Sequence, residues 1–301
     1  MTPRRRLAFT ALLLVIGIGW GSTQSLGKIA VSTGYGQFGL IFWQLVIGAV
    51  VLGAILLLRR RRVPLTAETL RFAALIAMIG TLIPNSTFYL SVAHLPAGVM
   101  SIIISTVPML AFPLALALRM ERLSLRRLAG LALGLCGVAM IALPQAGLPH
   151  GLAAAWLPVA MVGPLFYAIE GNVVAKWGTA GLDPVQAMFL ASAVGAVLVL
   201  PPVLMTGQWI TPPWPLQEPE LALTASSVVH CFMYSGYVYL AGAAGAVFAT
   251  QASYIVTASG LIWAMALLGE RFSPLVWLAG AILLTGLALV QPRSRDQRLA
   301  D

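Results

Sequence analysis

Acidic residues are scarce in this chain: Asp and Glu together number 9 among 301 residues, and all charged residues make up only 9%. A water-soluble domain carries about 25% charged residues. A chain of this length has the apolar mass for a large core but lacks the polar residues to coat one. Cysteine is almost missing. Cys136 and Cys231 both fall inside apolar runs, which excludes a disulfide framework and a thiolate metal site. No H-E-x-x-H, no G-x-S-x-G and no paired aspartates occur within the apolar segments, so hydrolytic and metal chemistry have no anchor. No metal and no cofactor is expected, and an intramembrane enzyme is the rival reading with least support.

What the chain has in abundance is hydrocarbon. Hydrophobic residues reach 59%, and the mean hydropathy is +0.92. The 29 glycines and 19 prolines would disrupt soluble helices, but membrane helices tolerate both. About 20 apolar residues cross a bilayer core. That window predicts ten spans: 7–30, 38–58, 70–91, 97–118, 126–143, 152–175, 185–206, 221–241, 246–268 and 273–291. Polar residues interrupt 70–91 and 221–241 most. The loops between spans are short, which leaves no room for a receptor or scaffold domain. The first span follows a basic start, as in a signal peptide, but "WGSTQSLGK" supplies no small-residue cleavage site, so the segment reads as a retained helix.

The net charge of +9 is an orientation signal. With the N-terminus in the cytoplasm, sixteen of the eighteen Lys and Arg residues fall inside and only Lys28 and Arg271 outside. A positive charge so distributed faces anionic lipid, and no nucleic-acid partner is expected. Both termini are expected in the cytoplasm.

The chain also repeats itself. Shifted by 149 positions, 119–141 lies over 268–290, placing Glu121, Arg122 and Ser124 on Glu270, Arg271 and Ser273. "YLSVAHLPAG" from Tyr89 resembles "YLAGAAGAV" from Tyr239 with a one-residue gap. The expected architecture is an all-α membrane protein of ten transmembrane helices in two inverted five-helix repeats, 1–143 and 144–301. Five is odd, so the second half must lie upside down. Inverted halves place a substrate site near the midplane between them.

"WGS" (20–22), "IPNSTFYLSVAHLPAGVMSIIISTVPML" (83–110) and "LLGERFSPLVWLAGAILLTGLAL" (267–289), in this order and spacing, resemble the EamA-like family of the drug/metabolite transporter superfamily. The resemblance implies an inner-membrane permease, an exporter of amino acids or other small metabolites working by alternating access. It specifies neither substrate nor coupling ion. A small exporter of drugs or cationic compounds is the alternative. Sugar-phosphate exchange would want Lys or Arg deep in a span, and there is none.

Glu170 is the leading functional candidate. It lies about 9 Å above Lys176 at 1.5 Å per residue, inside the hydrocarbon. A carboxylate there costs free energy, faces a cavity as a rule, and marks a pathway or proton relay. It is expected either to take a coupling proton or to hold a cationic group of the substrate. The structural alternative is an ion pair, or a hydrogen bond to Asn172 or to another helix; Asn172 is itself a candidate for the site. Lys28, after the polar run "STQS" (22–25), either meets a substrate carboxylate or snorkels to the headgroups. Asn85, Gln251 and Tyr254 are uncharged polar groups well inside spans, equally suited to packing or to substrate contact. Trp20 and Tyr167 complete the candidates for the cavity. His230, with a single Cys beside it and no acidic partner, reads as a packed histidine. Gly17 with Gly21, and Gly130 with Gly134, are spaced for close helix contact within the bundle or at a dimer face. A monomer and a homodimer both fit.

Overall fold

In a computed structural model, residues 3–141, 152–244 and 251–290 can be described. Among them the chain is entirely helical. The helices are α1 (Pro3–Ala30), α2 (Gln37–Leu58), α3 (Ala67–His94) and α4 (Ala97–Ala117). Next come α5 (Leu125–Ile141), α6 (Leu152–Trp177), α7 (Pro184–Met205) and α8 (Glu218–Ala244). Last are α9 (Ala252–Leu268) and α10 (Pro274–Val290). The expected repeat boundary at 143/144, the first residues of the ninth expected span and the tail arginines Arg293, Arg295 and Arg298 lie outside the described residues.

Six helices, α1 to α4, α6 and α7, are long and apolar enough to cross a membrane, and α9 and α10 are shorter apolar helices. Only a third to a half of each long span is buried inside the protein. The outward faces carry Val15, Val50, Leu57, Val197 and Ile262. In water such a continuous apolar surface would drive aggregation; against lipid tails it is the stable arrangement. The protein is a multi-pass membrane protein.

The most extensive helix packings are α1 on α8 and α9, α6 on α3 and α4, α2 on α7, α5 on α10, α4 on α9, α3 on α7 and α2 on α8. Replacing every helix by the one five places away maps this list onto itself. All of these packings join the first five helices to the last five, so the halves interlock. Small residues allow it. A side chain at Gly21 would collide with Ser259 and Gly260 of α9, and Gly286 of α10 sits on the backbone of Gly130 and Gly134. Both G-x-x-x-G pairs therefore serve packing within the chain.

Two of the long helices are irregular, and proline is the cause in each. Pro84 has no N–H to give the Gly80 carbonyl and its ring crowds that turn. The helix widens over Met78–Leu82 into a π turn, with the Ile83 N–H bonded to the Met78 carbonyl. In α4 the helix pauses at Ser105 and Thr106 before Pro108. The two hydroxyls satisfy the carbonyls of Ile102 and Ile103, each at 2.7 Å.

Candidate substrate site

A cavity of about 70 Å³ lies where α1, α2, α3, α4, α6 and α8 meet. Its apolar wall comes chiefly from α4 and α6, with Met100, Ile103, Ile104, Ala160 and Pro164. Its polar wall holds Gln24, Gln44, Asn85, Tyr167, Ser226 and His230, with Thr23 and Tyr89 at its margins. No Lys, Arg, Asp or Glu lines it.

Part of the polar wall is tied together. The Tyr167 hydroxyl donates to Asn85 Oδ1 at 2.8 Å. Asn85 Nδ2 donates to Gln44 Oε1 at 3.2 Å, and the Tyr89 hydroxyl donates to the same oxygen at 3.0 Å. This chain links α6, α3 and α2, and each such bond within a membrane is worth about 0.6–2 kcal/mol. Asn85 is three residues beyond the π turn, so the irregularity of α3 helps set the direction of its side chain.

Of the residues expected from sequence, Asn85 and Tyr167 meet at this cavity. Trp20 lies behind it, its ring 6.2 Å from that of His230 and 5.4 Å from that of Tyr237. Its buried indole Nε1 has no partner among the described residues. Glu170 lies one turn along α6 from Tyr167 and is not on the cavity wall. It is half-buried against Gly80 in the π turn, where any side chain at position 80 would collide with its carboxyl group. It makes no hydrogen bond or ion pair with the described residues. Asn172 is buried and donates to the carbonyls of Ala111 and Ala168 at 3.1 and 2.8 Å, which fastens α6 to α4. Gln251 immediately precedes α9. Tyr254 packs on the apolar cluster that includes Leu157, Leu261 and Val276.

Lys28 is engaged with backbone. Its Nζ donates to the carbonyls of Val92 at 3.0 Å and Leu95 at 2.6 Å, at the C-terminal end of α3. Across the corner, Glu270 accepts from the N–H groups of Ala97 at 2.7 Å and Gly98 at 3.1 Å, at the N-terminus of α4. A cation on carbonyl ends and an anion on amide ends both suit the helix dipoles, and the two charges attract each other. The pair holds the α3–α4 corner one turn beyond the cavity.

Gln24, Gln44 and Ser226 were not among the residues expected at the site, and His230, expected as a packed histidine, also lines the cavity. Gln44 carries a signal, an amide alone within a long apolar run, and Gln24 lies in the polar stripe already noted. His230 reads identically whether packed or facing a cavity.

Two stretches, residues 8–143 and 154–291, each match the EamA-like transporter family. The chain belongs to that family. The two matches account for the exchange symmetry of the helix packing, since each spans five of the helices described above. The chain is 28% identical over 303 residues to a protein of Streptantibioticus cattleyicolor named as a probable terminal-alkyne amino-acid exporter, covering 97% of this chain and 95% of the relative. A protein crystal structure superposes with a TM-score of 0.66 at 16% identity, covering 94% of this chain and 96% of that one. That likeness establishes the fold alone. A membrane transporter of the EamA-like family is thus the setting in which the cavity acts.

Proposed function

We propose that the protein is an inner-membrane secondary transporter that exports small metabolites, amino acids first among them, by alternating access at the cavity. The carrying observation is the place of the cavity: α1, α2, α3 and α4 of one repeat and α6 and α8 of the other share it. In this reading all ten helices cross the bilayer, the second five inverted, with both termini in the cytoplasm. The Lys and Arg distribution supports that orientation. The amino-acid assignment draws on the name of the Streptantibioticus relative and on a polar wall without charges.

Protons are the proposed coupling ion and Glu170 the group that takes them. A carboxylate inside a span with no partner among the described residues is a functional candidate, and it lies one turn along α6 from Tyr167 on the cavity wall. The Tyr167–Asn85–Gln44 chain connects its neighbourhood to the polar wall. Export of cationic compounds is the second reading; it requires the Glu170 carboxylate to swing past Tyr167 into the cavity.

The test is uptake into proteoliposomes of pooled amino acids and of cationic dyes, with and without a pH gradient. Gradient-stimulated transport in the wild type and a flat pH profile in Glu170→Gln are expected. Wild-type pH dependence in that variant would remove Glu170 from the coupling, and transport indifferent to the gradient would remove the proton.

A further inference from the structure

The polar wall contains a second set of groups that the hydrogen-bonded chain leaves open. Gln24 is 9% exposed, lines the cavity and makes no hydrogen bond with the described residues; its Oε1 is buried and unpartnered. Ser226 Oγ is likewise unbonded, although the hydroxyls of Thr224 and Ser227 on either side of it donate to α8 carbonyls. The Gln44 Nε2 amino group donates to nothing, since only the oxygen of that amide is used. His230 is held by ring contacts to Trp20 and Tyr234 with no hydrogen bond to either nitrogen. A buried polar atom left without a partner costs about 1–3 kcal/mol; Gln24 Oε1 is such an atom, and the unused groups of Gln44, Ser226 and His230 line the same cavity, so together they call for an occupant.

Building on the transporter reading above, we infer that Gln24, Gln44, Ser226 and His230 form the substrate's headgroup site, and that the site takes a net-neutral amino-acid zwitterion. The amide nitrogen of Gln44 and the Ser226 hydroxyl donate to the carboxylate. The Gln24 carbonyl oxygen accepts from the ammonium. The apolar remainder of the substrate lies against Met100, Ile103 and Ile104 of α4. Charge decides the class. No side chain of fixed charge lines the cavity, so an uncompensated cation or anion would lose its hydration without a counter-charge. A zwitterion brings both signs, and neutral amides satisfy each end. Gln24 in this scheme is a specificity residue distinct from the coupling carboxylate.

The experiment is counterflow in proteoliposomes without a pH gradient, using labelled leucine, lysine, glutamate and tetraphenylphosphonium. Leucine is expected to exchange at least tenfold faster than the other three. Gln24→Ala is expected to lower leucine exchange at least tenfold, and Gln24→Glu to shift preference towards lysine. Ser226→Ala, a milder change, is expected to cost leucine exchange about threefold and serves if Gln24→Ala does not fold. Lysine or tetraphenylphosphonium exchanging as fast as leucine would overturn the inference while leaving transport intact. So would wild-type leucine exchange in Gln24→Ala or in Ser226→Ala. No exchange of any of the four would overturn both this inference and the amino-acid reading on which it rests.

Discussion

Glu121 and Glu270 occupy equivalent places in the two repeats, each opening a Glu-Arg-x-Ser sequence between two helices, yet they do different things. Glu270 gives both carboxylate oxygens to backbone N–H groups at the start of α4. Glu121 pairs with Arg127 at 3.0 Å, and the guanidinium also lies over the Phe112 ring at 5.2 Å. Two local differences divert them. Position 127 is Arg in the first repeat, whereas its equivalent, Val276, is apolar and buried. The left-handed residue before the junction is Arg119 (φ 57), two positions ahead of Glu121, but Gly269 (φ 64), one position ahead of Glu270. The carboxylates therefore leave their turns in different directions. Duplication kept the acid and let its partner diverge.

The largest break in this comparison is expected from Arg127→Met. Arg127 is buried, and removing it strands Glu121 and uncovers Phe112. Losing one member of a buried pair costs about 3–5 kcal/mol; Glu121 is partly exposed, which puts the cost near the lower figure. Thermal unfolding in detergent should show it as a large fall in the midpoint. The double variant Arg127→Met with Glu121→Gln should recover most of the loss, since no charge is then left alone.

Glu270→Gln comes next. One amide oxygen can still cap α4, but the charge is gone, and a charged hydrogen bond is worth about 1.5–3 kcal/mol. A loss of about 2 kcal/mol is expected. Lys28 then faces the corner without its counter-charge, so Glu270→Gln and Lys28→Met should combine less than additively. Strict additivity would mean that the two ends of the corner are held independently.

These junctions also mark how far the sequence could be read. The helices stood out because hydrophobic runs of bilayer length are unambiguous, and every described helix lies within a few residues of its expected span. The duplication was visible in Glu-Arg-x-Ser itself. What Glu121 and Glu270 would touch was not, because turn geometry and a partner about 170 residues away decide it. The same holds at the cavity. Pro84 accounts for an irregular helix, but the packing of Glu170 of α6 against Gly80 in the π turn is visible only in the folded protein. Asn85 and Tyr167 were legible as polar groups in apolar runs. Whether Gln24, Gln44 and His230 face the cavity depends on the rotation of α1, α2 and α8 about their axes, which no local pattern supplies. Glu170 stood out as a charge, yet its place behind Tyr167 could not be read from spacing.

Glu220 sharpens the contrast from outside the repeat motif. It accepts from the Tyr35 hydroxyl and from the Gln217 N–H at 2.9 Å. That hydrogen bond, with burial adding to it, holds the Tyr35 phenol above its ordinary 10.0. The folded value exceeds the unfolded one, so the bond's contribution is complete below about pH 10 and fades as pH rises beyond it. Tyr35→Phe should cost about 0.5–1 kcal/mol at neutral pH. It should also lessen the alkaline fall in stability, as read from unfolding midpoints between pH 7 and 11.

Glu170 is the limit of the series. Glu121 has a cation, Glu270 has amides, Glu220 has a phenol, and Glu170 has none of these among the described residues. A side chain that gains nothing from its surroundings loses nothing when its charge is removed. Glu170→Gln, which keeps the shape against Gly80, should leave the unfolding midpoint unchanged or raise it, because an unpartnered carboxylate inside a span costs free energy. The same variant should alter the pH dependence of transport, the property its isolation suits it for. A marked loss of stability would mean that the carboxylate has a structural partner after all, and would place it with Glu121 and Glu270 rather than apart from them.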